Sequence, residues 1–294
     1  MEKGYKKEKL MVEGKTKVIW TVHGNDSVVL IESKDDITAG DGAKRDLIEN
    51  KGILSTTTTC NVFKHLQRKS ISNHFIELYD ERTFLALKLD MIPFELVIRK
   101  IATGSFLKRR PDIEEGTIFE EPVVEFFFKD DSQHDPLMIF DIVGNRVLFF
   151  DAKRPIGEGL IKEENLMDFF YQNCFPQTKQ WGSRCTLNNI VKATVHLVDI
   201  SRATFLCLET AWEKQNVVLI DLKIECGFDV NDINDSLLVG DVIDNDSWRI
   251  WPGGDKEQMK DKQVYRNLTE VTPEALKQLQ KNYQWVAEAT DKFK

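Results

Sequence analysis

The stretch VVLIDLKIECGFDV, residues 217 to 230, constrains the fold more than any other part of the chain. Apolar Ile220, Leu222 and Ile224 alternate with Asp221, Lys223 and Glu225, and side chains two apart on a strand share a face. The run predicts a strand with one apolar face and one face crowded by two acids and a lysine. Such a face is either a solvated sheet surface or the floor of a charged site.

The neighbouring sequence supplies elements to pack against that strand. Residues 10 to 35 read as strand, Gly-containing turn, strand, turn and strand, with HGND at 23 to 26 as the hairpin turn. Residues 47 to 69 place Ile53, Cys60, Phe63 and Leu66 at helical spacing despite the threonines at 56 to 59. HFIELYD, TFLALKLD and FELVIRKIA return to strand patterns between 74 and 102. Residues 187 to 212 carry Ile190, Ala193, Leu197, Ile200, Cys207 and Ala211 on one helical stripe. A last helix opens at Thr272 and Pro273 and lines up Leu276, Leu279, Tyr283 and Val286. The segment 137 to 185 mixes LFF and DFFY with Gly and Pro and has no clean period. Antiparallel strands followed by mixed helices and strands predict an α+β protein with two lobes and a cleft, divided as 1–90 and 91–294.

Composition removes several function classes. The net charge of −8 disfavours broad nucleic-acid binding, which needs a basic surface to displace counterions. No apolar run suits a signal peptide or a membrane span, so a cytoplasmic protein is expected. Five cysteines without C-x-x-C spacing disfavour disulfides and structural zinc, and the five histidines show no H-x-x-x-H pair.

Four clusters carry chemistry. EGKTK at 13 to 17 sets Lys15 and Lys17 beside a glycine that lets a hairpin approach a ligand; an exposed edge strand carries such lysines equally well. TAGDGAKRD at 38 to 46 offers amides to an anion, yet fits neither the Walker nor the dinucleotide pattern, and an ordinary turn explains it as well. In RKIATGSFLKRR, Arg99 leaves a strand just before a turn holding Ser105, a combination that suits a phosphate monoester and equally a basic helix start. Finally, LLVGDVIDNDSWRIW adds Asp241, Asp244, Asp246 and Arg249 to Asp221, Lys223 and Glu225. Seven charges near one sheet need counter-charges, and magnesium with phosphate ligands would supply them.

EGKTK, TAGDGAK, DMIPFELVIRKIATGSFLKR, FFFKDD with HDP, LIDLKIECG and GDVIDNDSWRIW, in this order, resemble SAICAR synthetase, above all the N-terminal domain of the animal bifunctional form. The resemblance implies an antiparallel N-terminal lobe over nucleotide and a larger, ATP-grasp-like α+β C-terminal lobe. It implies an ATP-dependent ligase joining L-aspartate to a carboxyaminoimidazole ribonucleotide through an acyl phosphate. Magnesium is the implied cofactor, and ATP, aspartate and the ribonucleotide are the implied small-molecule partners; monomer and homodimer both stay open. Lys15, Lys17, Met91 and Lys129 would meet ATP, and Glu225 and Asp241 would hold magnesium on its phosphates. Arg99, Ser105, Asp41 and Asp135 would contact the ribonucleotide. Asp221, Lys223 and Arg249 would lie at the reacting end.

The chain departs from that family at identifiable places. Phe94 stands where a small aliphatic is usual, Cys226 replaces an aromatic, and residues 137 to 185 match poorly and are longer. No carboxylase activity is assigned to these 294 residues. These departures motivate an alternative, a nucleotide-binding paralogue with weakened turnover.

Overall fold

The computed structural model describes residues 4–40, 42–174, 186–232 and 236–293. The chain forms two compact units, each assembled from separate stretches of sequence. The first takes Met1–Leu89, Cys207–Leu219 and Gly240–Lys294; the second takes Asp90–Leu206 and Ile220–Val239. The expected division into 1–90 and 91–294 makes a single cut, whereas these units are crossed again at 206–207, 219–220 and 239–240. Aromatic packing is the reason. Trp212, near the end of helix Leu187–Glu213, lies edge-on to Trp248 and Phe293 and stacks on Trp285, so burial draws these late segments together.

In the first unit an antiparallel sheet runs Lys7–Glu13, Lys17–Val22, Asn25–Ser33, Thr83–Leu87, Phe75–Asp80. The expected hairpin turn is present, and Gly24 adopts the positive φ of 71° that the tight connection requires. Helix Lys51–Arg68 contains the threonine run. Its β-branched residues cost helix propensity, but Thr56 donates to Ser33 Oγ and Thr59 to the Ile243 carbonyl, and the run faces the interior. Tertiary contacts thus override a poor local preference. The closing helix Pro273–Thr290 starts as predicted, with Thr272 Oγ1 accepting from the Ala275 amide. Its Leu279 and Tyr283 join Ile37, Ile48 and Tyr265 in the core.

The second unit is built on a sheet ordered Leu160–Asn165, Arg146–Phe150, Leu137–Asp141, Ile118–Phe128, Phe94–Ile101, Val217–Asp229, Leu237–Gly240. The register sets Asp221 opposite Arg99 and Lys223 opposite Val97. The segment without a clean period supplies three of these strands and helix Leu166–Asn173. Phe140, Phe149, Phe169 and Phe170 from this segment pack with Phe94, Phe126 and Phe128. Short strands feeding one aromatic core explain why neither a two-residue nor a 3.6-residue period showed.

Candidate active site

The charged face of strand Val217–Asp229 is not a solvated surface. Asp221 and Glu225 are 5% and 4% exposed, while Ile220, Leu222 and Ile224 are buried in the core on the opposite side. Buried carboxylates need partners, and each has them. Asp221 Oδ2 accepts from Arg99 Nη1 at 2.8 Å. Glu225 Oε2 accepts from Lys129 Nζ at 2.7 Å and Oε1 from Lys223 Nζ at 3.1 Å. Lys223 also donates to Glu95 Oε1 at 2.8 Å. Behind them Glu125 binds both Arg99 and Arg109.

Glu95, Glu125, Asp221 and Glu225 thus face Arg99, Arg109, Lys129 and Lys223, four formal negatives against four positives. The acids are the more deeply covered; the lysines carry the exposed end, with the Lys129 side chain 43% and the Lys223 side chain 30% accessible. Ammonium groups presented over buried carboxylates suit an anionic ligand. Burial works against the charge on Lys223, but the Glu225 and Glu95 carboxylates outweigh it and hold its pKa above the ordinary lysine range. Lys223 therefore stays protonated.

The other predicted residues of this unit lie on connections. Met91 ends strand Leu89–Met91 with its side chain exposed, and the next amide, Ile92, donates to the Cys226 carbonyl. Ser105 begins the short helix Ser105–Arg109 after Gly104, whose φ of 62° and ψ of −132° suit glycine. Asp135 accepts from the Asp130 amide at 2.9 Å.

Lys15, Lys17, Asp241 and Arg249 belong to the first unit. Lys17 is ion-paired with Asp241, Lys15 lies exposed in the adjoining turn, and Arg249 is half-buried on strand Trp248–Pro252. The Asp241 backbone is left-handed, at φ 58°, and its carbonyl meets His74 Nε2 at 2.9 Å. Burial pushes the His74 pKa down to about 3, so the ring is neutral and donates this bond. Asp41 lies outside the described residues.

Strands Leu237–Gly240 and Trp248–Pro252, which flank Asp241 and carry Arg249, both pair with strand Val217–Asp229, but two of the seven charges have partners of their own. Asp244 and Asp246 are committed inside the first unit, where Asp246 accepts from Lys262 at 2.9 Å and Tyr283 at 2.5 Å and lies 3.7 Å from Lys51. Burial opposes the Asp246 charge, yet Lys51 and Lys262 hold its pKa below the usual carboxylate range. The counter-charges of the Asp221–Glu225 face come instead from Arg99, Arg109 and Lys129. Sequence reasoning passed over Glu95, Glu125, Arg109 and His74. Glu95 had a signal, since FELVIR alternates so that Glu95 and Arg99 share a face; the other three depend on register between distant segments.

Cys226 is buried and its thiol pKa is pushed up, first by burial and then by Glu225, so it is an inert core residue. Among the described residues no group of three or more His, Cys, Asp or Glu is placed to hold a metal, and no helix is long and apolar enough to cross a membrane.

Comparisons with known proteins give the chain a family. Residues 10–154 and 152–282 match the model of the SAICAR synthetase family. The chain belongs to that family. It is 43% identical over 281 residues to the phosphoribosylaminoimidazole-succinocarboxamide synthase of Roseiflexus sp. (strain RS-1), covering 96% of both chains. It is 41% identical over 280 residues to Multifunctional protein ADE2 of Gallus gallus, covering 95% of this chain but 57% of that protein. It likewise spans 27% of the Bifunctional purine synthesis protein purC/E of Dictyostelium discoideum. Among solved structures, a SAICAR synthetase in complex with ADP superposes with a TM-score of 0.67 at 27% identity, covering 93% of this chain and 97% of that one. The α+β architecture of the chain is therefore that of its family.

Proposed function

We propose that this chain joins L-aspartate to 5-amino-1-(5-phosphoribosyl)imidazole-4-carboxylate, consuming ATP and yielding SAICAR, ADP and phosphate. This makes it a carbon–nitrogen ligase of purine biosynthesis; relatives that it matches nearly end to end at 37–43% identity are named phosphoribosylaminoimidazole-succinocarboxamide synthase. A carboxylate does not expel oxide, so transfer of the γ-phosphoryl group to it must precede attack by the aspartate amine. Phosphoryl transfer asks the protein mainly for positioning and neutralisation of charge.

The observation that carries this reading is the balanced face of Glu95, Lys223, Glu225 and Lys129, whose lysines lie at its exposed end. Lys129 and Lys223 would meet phosphoryl oxygens as fixed cations. Arg99 and Ser105 would grip the ribonucleotide phosphate, while Asp221 orients Arg99 through its Nη1 group. Lys15 and Lys17 would contact ATP phosphates, the Met91 backbone would meet adenine, and Arg249, Asp135 and Asp41 would contact the ribonucleotide. The donor chemistry fits magnesium, which is bound by one or two carboxylates plus substrate phosphates and water; Glu225 and Asp241 are the proposed carboxylates. Bound magnesium would neutralise the nucleotide phosphates. The reaction is placed in the cytoplasm.

A weakened, merely nucleotide-binding role is not favoured: every charged residue the chemistry needs is present, and Phe94 and Cys226 are absorbed by core packing. The test is ADP release by the purified protein with magnesium. Release should require both aspartate and the carboxylated ribonucleotide; absence of turnover with all substrates present would refute the reading.

A further inference from the structure

We propose that Arg109 is a positioning residue that holds Arg99 and Ser105 in the geometry needed to grip a phosphate monoester. The inference rests on the ribonucleotide-phosphate reading above and assigns a role to a residue outside that set.

Arg109 is 1% exposed and uses its whole guanidinium fork. Its Nε donates to Glu125 Oε1 at 3.1 Å, and Nη2 donates to Glu125 Oε1 and Oε2 at 2.6 and 2.7 Å. Its Nη1 donates to the Ser105 carbonyl at 3.1 Å and to the Ala152 carbonyl at 2.9 Å. The main chain joins in, since the Ile156 amide donates to the Arg109 carbonyl at 3.2 Å. One side chain therefore ties together Ser105, the loop at 151 to 156 and Glu125.

Glu125 is the link to Arg99. Its Oε2 accepts from Arg99 Nε at 2.5 Å, while Asp221 takes Arg99 Nη1 at 2.8 Å. The remaining amino group of Arg99, Nη2, has no hydrogen bond among the described residues and is the part of the fork left for a ligand anion. Arg109 occupies both oxygens of Glu125, so Glu125 cannot turn to embrace Arg99 in a two-oxygen pair. Without Arg109 a buried carboxylate would lose most of its donors, and its nearest remedy is to capture Nη2 of Arg99. That capture would withdraw the ligand-facing group, and Ser105 would lose its anchor in the same event. Lysine cannot replace this function, because a single ammonium does not span Glu125, Ser105 and Ala152 together.

The test compares Arg109→Lys, the double variant Arg109→Met/Glu125→Met and Arg99→Ala in the full chain, with thermal unfolding to confirm a folded protein. The double change replaces the pair by apolar side chains, so a folded sample is obtained even if the single change is poorly tolerated. Arg109→Lys should raise the KM for the ribonucleotide at least about ten-fold, the size of one charge-assisted hydrogen bond, and the double variant should do the same because it removes the anchors of both Ser105 and Arg99 Nε. Their KM for ATP and aspartate, and kcat, should stay near wild type. A purely structural role would lower kcat or stability without this selectivity. If Arg99→Ala raises the ribonucleotide KM and the Arg109 variants do not, the positioning role is refuted. If Arg99→Ala leaves that KM unchanged, the phosphate reading itself falls.

Discussion

Replacing Phe94 by alanine is the sharpest probe of how the second unit holds its site. Phe94 is 1% exposed and lies 6.0 to 6.3 Å, centroid to centroid, from Phe126, Phe140, Phe169 and Phe170. Its ring is nearly parallel to that of Phe169, at 4°. Truncating a buried phenylalanine costs roughly 3–5 kcal/mol through lost transfer energy and the cavity left behind, and aromatic pairs add about 0.5–1.5 kcal/mol each. The upper part of that range, about 4–5 kcal/mol, is expected, because four rings lose a partner at once. At about 2–4 °C per kcal/mol for a domain of this size, calorimetry should record a melting point lower by roughly 8 °C or more. The Phe94→Leu variant refills most of the volume and should recover over half of the loss. Function should follow, since the next residue is Glu95, which binds Lys223, and the Pro93 carbonyl accepts from the Lys129 amide at 3.0 Å. A stability loss below about 1 kcal/mol would show that the cluster does not anchor this strand end.

Three further outcomes are expected. Glu225→Gln removes the negative charge held between Lys129 and Lys223 and should raise the magnesium and ATP requirement about ten-fold or more, whereas Arg99→Ala should raise the ribonucleotide requirement; initial-rate kinetics showing that both changes alter ATP affinity alone would refute the division of roles. His74 is buried neutral with its pKa pushed down to about 3, so the unfolded chain, with an ordinary histidine pKa near 6.5, binds the extra proton between these values. Stability should therefore fall as pH drops from about 6.5 towards 3, by up to about 1.4 kcal/mol per unit from this group. The His74→Gln variant should show a shallower slope in urea titrations across that range. Gly104→Ala forces a side chain into φ 62°, ψ −132°; it should cost about 1–3 kcal/mol and raise the ribonucleotide KM, read by thermal unfolding and steady-state assay.

Much of this protein is written locally. The alternation of Ile220, Leu222 and Ile224 with Asp221, Lys223 and Glu225 specifies both the strand and its two faces, because side-chain direction repeats every two residues. Thr272 and Pro273 mark a helix start for an equally local reason, and the six ordered motifs identify the family before any contact is known. Local pattern does not reach further. Nothing in the neighbourhood of Glu125 or Arg109 says that they share two oxygens, because the pairing depends on strand register and on a helix turn 16 residues away. The aromatic segment after residue 137 has no period, because its strands are short and its rings serve one common core. Likewise Asp244 and Asp246 look from the sequence like companions of Asp221 and Glu225, yet Lys51, Lys262 and Tyr283 claim Asp246 inside the first unit. Local alternation and ordered motifs settle which faces are charged and which family the chain belongs to; which opposite charges meet is left to the folded structure, since ion pairs form between side chains brought together by folding and not by position along the chain.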